Sequence, residues 1–282
     1  MTRMTRSSST PRPSRRLALA TGGAGLTALL AACGAGGGSS AGGSGDEDFL
    51  ARIQEAGTVR VGLEGTYRPY AFHDVSGELV GFEKDIADVI AEGLGVEPEY
   101  IETEWDSLIA GLDVDRYDLV INNVGITPER EEKYAFTAPY AQSIGRIAVP
   151  EDSDLEVVED LDGKRAAQTA TSNWAQQMEE LGAEVVPVQG FAEAIDLVLQ
   201  GRVDATANDF ISFQTYQEEH PDAAFRMLDA ELPSDVTVGV IMQKGQEQLL
   251  AAVDEILADM KADGSLTTIY EEWVGQDITP EG

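Results

Sequence analysis

Short apolar runs alternate with longer amphipathic stripes from residue 49 to the end of the chain, and the order they predict is strand then helix throughout. Apolar runs closed by turn-forming residues predict strands over 58–63, 97–101, 117–121, 144–149, 165–168, 185–188, 203–207 and 236–242. The clearest helix is Gln246 to Lys261, where Leu249, Leu250, Val253, Ile256, Leu257 and Met260 fall on one face, a stripe that reads as core. Strand–helix alternation over about 235 residues argues an α/β protein with room for one large or two medium domains.

Where the 117–121 run ends, the pattern changes. Residues 121–130, INNVGITPER, leave a buried strand through a polar loop and enter a helix, with Thr127 as N-cap and Pro128 in the first helical position. Arg130 in that first turn offers a planar fork to a carboxylate, and the loop amides and helix start add donors for the same anion. The competing reading is an ordinary strand-to-helix turn with a solvated arginine.

The chain also echoes itself. Trp105, Arg116, Asp118, Asn122 and Asn123 are matched 86 residues later by Phe191, Arg202, Asp204, Asn208 and Asp209. In each copy an aromatic opens a helix, an Arg-x-Asp turn follows, and a short apolar strand ends in two polar residues. Two similar lobes follow from this, with generic α/β repetition as the alternative. Because ligands bind beyond the carboxyl ends of strands in open α/β sheets, Asn123 and Asp209 are expected to face a common cleft.

Ahead of this region, residues 1–32 hold five arginines, no acidic residue and an apolar stretch from Leu17 to Ala32, which reads as a secretory signal. The stretch is too short and too glycine-rich for a stable membrane span. It ends in Leu30-Ala31-Ala32-Cys33-Gly34, which resembles the lipobox of bacterial lipoproteins. Cys33 is the single cysteine, so an internal disulfide is excluded, and lipidation accounts for it better than structure does, with an ordinary cleaved signal as the competing reading. Ser14-Arg15-Arg16-Leu17 also looks like a twin-arginine signal, although Ala18 stands where a bulky apolar residue is usual. Residues 33–48 then form a Gly/Ser-rich tether.

Composition narrows the partners. Lys plus Arg number 19 against 51 Asp plus Glu, a formal charge of −32, and five of the basic residues lie in the leader. Nothing here neutralises phosphates, so nucleic acid is excluded as a partner. The acidity speaks to solubility and does not describe the ligand.

Four stretches carry a family resemblance: residues 61–72, VGLEGTYRPYAF; 81–86, GFEKDI; 116–140, RYDLVINNVGITPEREEKYAFTAPY; and 263–275, DGSLTTIYEEWVG. With the lipobox and the two lobes, the chain resembles the solute-binding proteins of ABC importers for polar amino acids, over residues 49–282. It is most similar to the cystine-binding branch. Departures are Arg68 where proline is usual, Lys84 where an aliphatic is usual, and Gly125 where a hydroxyl residue is common.

The resemblance implies a two-lobe type II periplasmic-binding fold, with two mixed sheets flanked by helices and two crossing hinge strands. Lobe one would comprise 49–139 plus 239–282, lobe two 145–233, and the hinges 140–144 and 234–238. Arg130 matches the family arginine that takes the ligand α-carboxylate, helped by the Gly125 amide and by Ser172 across the cleft. Asp209 matches the carboxylate that receives the α-ammonium; a helix N-cap is the competing reading. Tyr67 and Trp105 match aromatic walls, with core packing as the alternative. Asn123, Asn173 and Trp174 are further candidates. Glu64 stands where relatives place an acid that reaches the ligand side chain, so it is expected to meet the far ammonium of cystine, with Arg68 a partner for the far carboxylate; an exposed strand-end acid is the alternative for Glu64.

His73 and His220 lie far apart and form no metal-binding cluster, and no phosphate loop or nucleophile elbow is present, so no cofactor, metal or catalytic residue is expected. The reading is a lipid-anchored, monomeric receptor on the outer face of the cytoplasmic membrane. It would capture a polar amino acid, L-cystine first among them, by closure of the cleft, and serve an ABC permease and its ATPase subunit. The rival is an exported dehydratase of prephenate type on the same fold, with Glu64 as its acid; an amino-acid sensor is a third reading.

Overall fold

Val59, Val61 and Leu63 are fully buried along the Thr58–Leu63 strand, the second strand of a five-stranded sheet. The computed structural model describes residues 49–230, 232 and 235–280. The signal at 1–32, the lipid-accepting Cys33 and the tether at 33–48 lie outside the described residues.

Thr58–Leu63 pairs in parallel with Glu97–Glu102 on one side and Leu119–Val120 on the other. Ile241–Gln243 then inserts antiparallel between Leu119–Val120 and Tyr134–Phe136, so the first sheet draws on widely separated parts of the chain. Helices Phe82–Leu94, Glu247–Asp263 and Ser265–Val274 cover it, burying Ile86, Ile90, Leu249, Val253, Leu257, Met260 and Tyr270 in one core. The expected stripe of the long helix is thus its buried face, with Leu250 and Ile256 at the margin. Phe82–Leu94 stops at Gly95, whose φ of 75° lets its N–H turn back to the Ala91 and Glu92 carbonyls.

A second sheet is built on the ten-residue strand Ala141–Pro150. It pairs antiparallel with Thr206–Asp209 and Phe225–Met227 toward its C-terminal end, and with Asp235–Val238 at its start. Arg165–Gln168 and Glu184–Pro187 form a parallel pair beside it, bridged at Ala166 and Ala205. Segments 141–144 and 235–238 therefore run side by side where the chain passes between the two sheets. Together the two sheets and their helices make two α/β lobes, as the sequence predicts.

Several strand boundaries differ from expectation, 117–121 shrinking to Leu119–Val120 and 144–149 growing to Ala141–Pro150, and two differences bear on the site. The single strand expected over 236–242 is two: at Gly239–Val240 the chain leaves one sheet for the other, held by Gly239 N–H to Val124 O and Thr137 N–H to Val240 O. The strand expected over 203–207 is Thr206–Asp209, because Asn208 and Asp209 pair with Arg146 and Gly145 while Asp204 is drawn off to another task.

That task is the structural form of the echo. Arg60 N–H donates to Asp118 Oδ2 at 2.9 Å and Arg60 Nη1 to the Arg116 carbonyl at 3.3 Å. In the second lobe Arg165 N–H donates to Asp204 Oδ2 at 2.7 Å and Arg165 Nη1 to the Arg202 carbonyl at 2.6 Å. The same brace ties Thr58–Leu63 in one lobe and Arg165–Gln168 in the other to an Arg-x-Asp turn, so the two polar strand ends that follow occupy equivalent places.

Candidate functional site

Both lobes contribute to one narrow cavity between them. Its walls are Glu64, Tyr67, Trp105 and Asn123 from the first lobe, and Thr169, Ser172, Asn173, Trp174, Gly190, Phe191 and Asn208 from the second. Six of the nine expected ligand residues thus line one space. Gly125, Arg130 and Asp209 are not on that wall; Asp209 meets it through Asn123, and Arg130, bonded to Gly125, meets it through Trp105.

The first-lobe side is organised by Asn122, which is fully buried. Its Oδ1 accepts from Glu64 N–H at 2.8 Å and its Nδ2 donates to Glu64 Oε2 at 2.7 Å, fixing the carboxylate at the strand end. Glu64 is not an exposed acid: burial pushes its pKa up to about 7, against the Asn122 hydrogen bond. Tyr67 stacks on Tyr70 with centroids 4.3 Å apart and faces Phe191 at 6.4 Å. Its hydroxyl donates across the cleft to Asn208 Oδ1 at 2.6 Å. Tyr67 is therefore both wall and clasp.

Asn123 sits at φ 50°, a left-handed conformation that asparagine tolerates better than most residues. Glu83 holds it there: Asn123 N–H donates to Glu83 Oε1 at 2.7 Å, and the Tyr140 hydroxyl donates to the same oxygen. Glu83 is fully buried and its pKa is pushed up to about 8 by that burial. Asn123 Nδ2 donates to Asp209 Oδ2, joining the two lobes.

The helix Pro128–Lys133 begins as expected, with Thr127 Oγ1 accepting from Arg130 N–H at 3.3 Å and Pro128 in the first turn. The Arg130 guanidinium turns inward, donates from Nη1 to the Gly125 carbonyl at 2.9 Å, and lies 5.4 Å from the Trp105 ring centroid. Burial lowers its pKa to about 10, with Glu129 acting weakly the other way. Among the described residues it forms no ion pair, so the solvated-arginine reading fails. Gly125 bridges Val238 through the bonds of its neighbours, Gly239 N–H to Val124 O and Ile126 N–H to Thr237 O, which leave its own N–H out of that pairing.

Asp209 is 2 % exposed, and its pKa is raised to about 7 by burial against the Asn123 hydrogen bond. It stands before the helix Phe210–Glu219, yet its side chain caps nothing. The carboxylate points to Asn123 and meets no cation among the described residues. The cap reading is thus excluded by geometry.

Ser172 lines the cavity, but its hydroxyl is committed. It donates to Thr169 O at 2.9 Å and accepts from Ala175 N–H at 3.1 Å as the cap of helix Asn173–Glu180, so its single proton is not free for a ligand carboxylate. Trp174 packs where Gly145 lacks a side chain; a Cβ there would come within 2.5 Å of the indole. Arg68 stands outside the cavity over the Phe72 ring and pairs with Glu219 of the other lobe at the rim, and not with any group inside. Thr169, Gly190, Phe191, Asn208 and Glu83 were not singled out for the site from sequence. Phe191 and Asn208 carried a signal, since both belong to the echo.

Residues 59–276 match the family model of bacterial extracellular solute-binding proteins, family 3. The chain belongs to this family, that of the amino-acid-binding proteins of ABC transporters, and it is a binding protein and not an enzyme. It is 35 % identical over 255 residues to the L-cystine-binding protein TcyA of Bacillus subtilis, covering 89 % of this chain and 94 % of that one. Solved structures are similar as well, two of them being informative here. An ancestral arginine-binding protein bound to arginine aligns with TM-score 0.73 at 34 % identity, over 77 % of this chain and 98 % of that one. The L-cystine solute receptor of Neisseria gonorrhoeae, unliganded and open, aligns with TM-score 0.56 at 37 % identity, over 82 % and 99 %.

Proposed function

We propose that this chain is an exported, lipid-anchored, monomeric receptor that captures L-cystine by closure of its two lobes and delivers it to an ABC permease served by an ATPase subunit. Lobe one comprises 49–139 plus 239–282, lobe two 145–233, and the chain bends at 140–144 and 234–238. The observation that carries the reading is a pair of buried ionisable groups on opposite lobes, unmatched among the described residues: Arg130 without an anion, Asp209 without a cation. Burying a lone charge is costly, and one zwitterionic α-amino acid would offset both costs at once. Only the closed arrangement lets one small molecule reach both, which gives closure its differential affinity.

Three observations support this. The lobes already touch through Tyr67–Asn208 and Asn123–Asp209. The chain superposes better on the arginine-bound relative than on the open cystine receptor, although the latter is closer in sequence. The relatives named above include two cystine binders, and Glu64 stands in the cavity as an acid that a far ammonium would neutralise. Glu64, Tyr67, Trp105, Asn123, Gly125, Arg130, Ser172, Asn173 and Asp209 make the site, with Ser172 acting through the helix it caps.

A thermal-shift and calorimetric screen against the amino acids and cystine tests the reading. Because a ligand that binds only the folded state raises stability with occupancy, cystine should give the largest shift at one site per chain. A larger shift from arginine or glutamine would replace the ligand, and no shift from any amino acid would overturn the receptor.

A further inference from the structure

Among the described residues, two buried donors on the cavity wall have no acceptor: Trp105 Nε1 and Asn173 Nδ2. Trp105 is 8 % exposed, so its indole N–H has no recourse to solvent. A buried donor left unpaired is costly, and such atoms are rare enough to need a reason. Neither belongs to the machinery for the α-head. Arg130 and Asp209 supply that, and Ser172 Oγ is committed to its cap.

The two donors come from opposite lobes and belong to residues lining one cavity. Trp105 opens the helix Trp105–Leu108 and Asn173 opens Asn173–Glu180. Asp106 Oδ1 accepts from both the N–H and the Oγ1 of Thr171, each at 3.0 Å, which ties these two helix starts across the cleft. Glu64 belongs to the same neighbourhood, since it lines the same cavity and the Trp105 backbone lies near enough to favour its ionised form. Paired donors beside a buried carboxylate form the complement of one amino-acid head.

We propose that Trp105 Nε1 and Asn173 Nδ2 form a second carboxylate seat, assembled across the lobes, for the far head of a two-headed amino acid whose far ammonium lies at Glu64. The inference rests on the receptor reading above and extends it to the basis of selectivity. A ligand with a far carboxylate alone would set that anion against Glu64. One with a far ammonium alone would leave both donors unpaired. Only a molecule carrying both groups satisfies the wall, and discrimination follows from the groups a wrong ligand leaves unmet.

The test compares L-cystine with the mixed disulfide of L-cysteine and cysteamine, which is cystine without its far carboxylate, by calorimetry on the whole chain. Wild type should prefer cystine by about tenfold or more, the order expected of a hydrogen bond to a charged group. Trp105→Phe, which keeps the ring and removes the N–H, and Asn173→Ala should each collapse that preference toward unity, with folding checked by thermal unfolding. Equal affinity of wild type for the two ligands, or a preference untouched in both variants, overturns the second seat while leaving the receptor standing. Failure of wild type to bind either ligand overturns both.

Discussion

Asn123 and Asp209, which hold equivalent places in the two lobes 86 residues apart, meet face to face: the amide of one donates to the carboxylate of the other. The contact holds the lobes together through the group that an incoming ammonium would need. A ligand must therefore share or displace Asn123, the residue of the opposite lobe that holds Asp209. Replacing Asp209 by Asn should remove binding of α-amino acids by at least about 100-fold, in keeping with the loss of a buried charged contact. The same change should raise the unliganded melting temperature, because a desolvated carboxylate is gone. Calorimetry and thermal unfolding check the two halves.

The cleft acids set a pH dependence with a definite sign. Burial raises Glu83 from 4.5 to about 8, Glu64 from 4.5 to about 7, and Asp209 from 3.8 to about 7. Between those limits the folded chain holds protons that the unfolded chain has released. Their stabilising effect is complete below the unfolded values and is lost as pH rises through about 7 to 8. The unliganded melting temperature should thus fall from pH 5 to pH 8.5, and the fall should be shallower in Glu83→Gln. Ligand affinity should run the other way. An ammonium needs Asp209 ionised, so binding near pH 6.5 should release protons, measurable by calorimetry in buffers of different ionisation enthalpy.

At the rim, Arg68 and Glu219 pair between lobes while each remains over a third exposed. Such a pair is screened by salt and contributes little by itself. Glu219→Gln should speed ligand release by no more than a few-fold at low ionic strength, with the difference gone at about 1 M salt. Stopped-flow release measured at both ionic strengths decides this.

Much of this was legible in the chain. The Arg-x-Asp turns at 116–118 and 202–204 announced two similar lobes, and residues 121–130 announced an inward arginine. Their partners were not legible, because Arg60 and Arg165 lie 58 and 39 residues away from the carboxylates they brace. Glu83 was hidden for the same reason. Within GFEKDI nothing marks an acid destined for full burial, since the Asn123 amide and the Tyr140 hydroxyl arrive from 40 and 57 residues downstream. Ser172 is different: the helix it opens could have been read locally, and a serine in that position spends its hydroxyl on the cap. Resemblance alone favoured the ligand role.

Glu64→Gln separates the head of the ligand from its tail. With the carboxylate held by Asn122 and the cavity open before it, neutralising this residue should weaken L-cystine more than glutamine or serine. Equal losses for all three, read by competition calorimetry, would mean that the acid meets no far ammonium.

The most direct measurement is a titration of Arg130→Ala with L-cystine and a panel of α-amino acids, its fold verified by circular dichroism. If a zwitterion bridges the two buried charges, binding should disappear for every member of the panel alike, because all present the same carboxylate. Near-normal affinity for any of them would contradict the account.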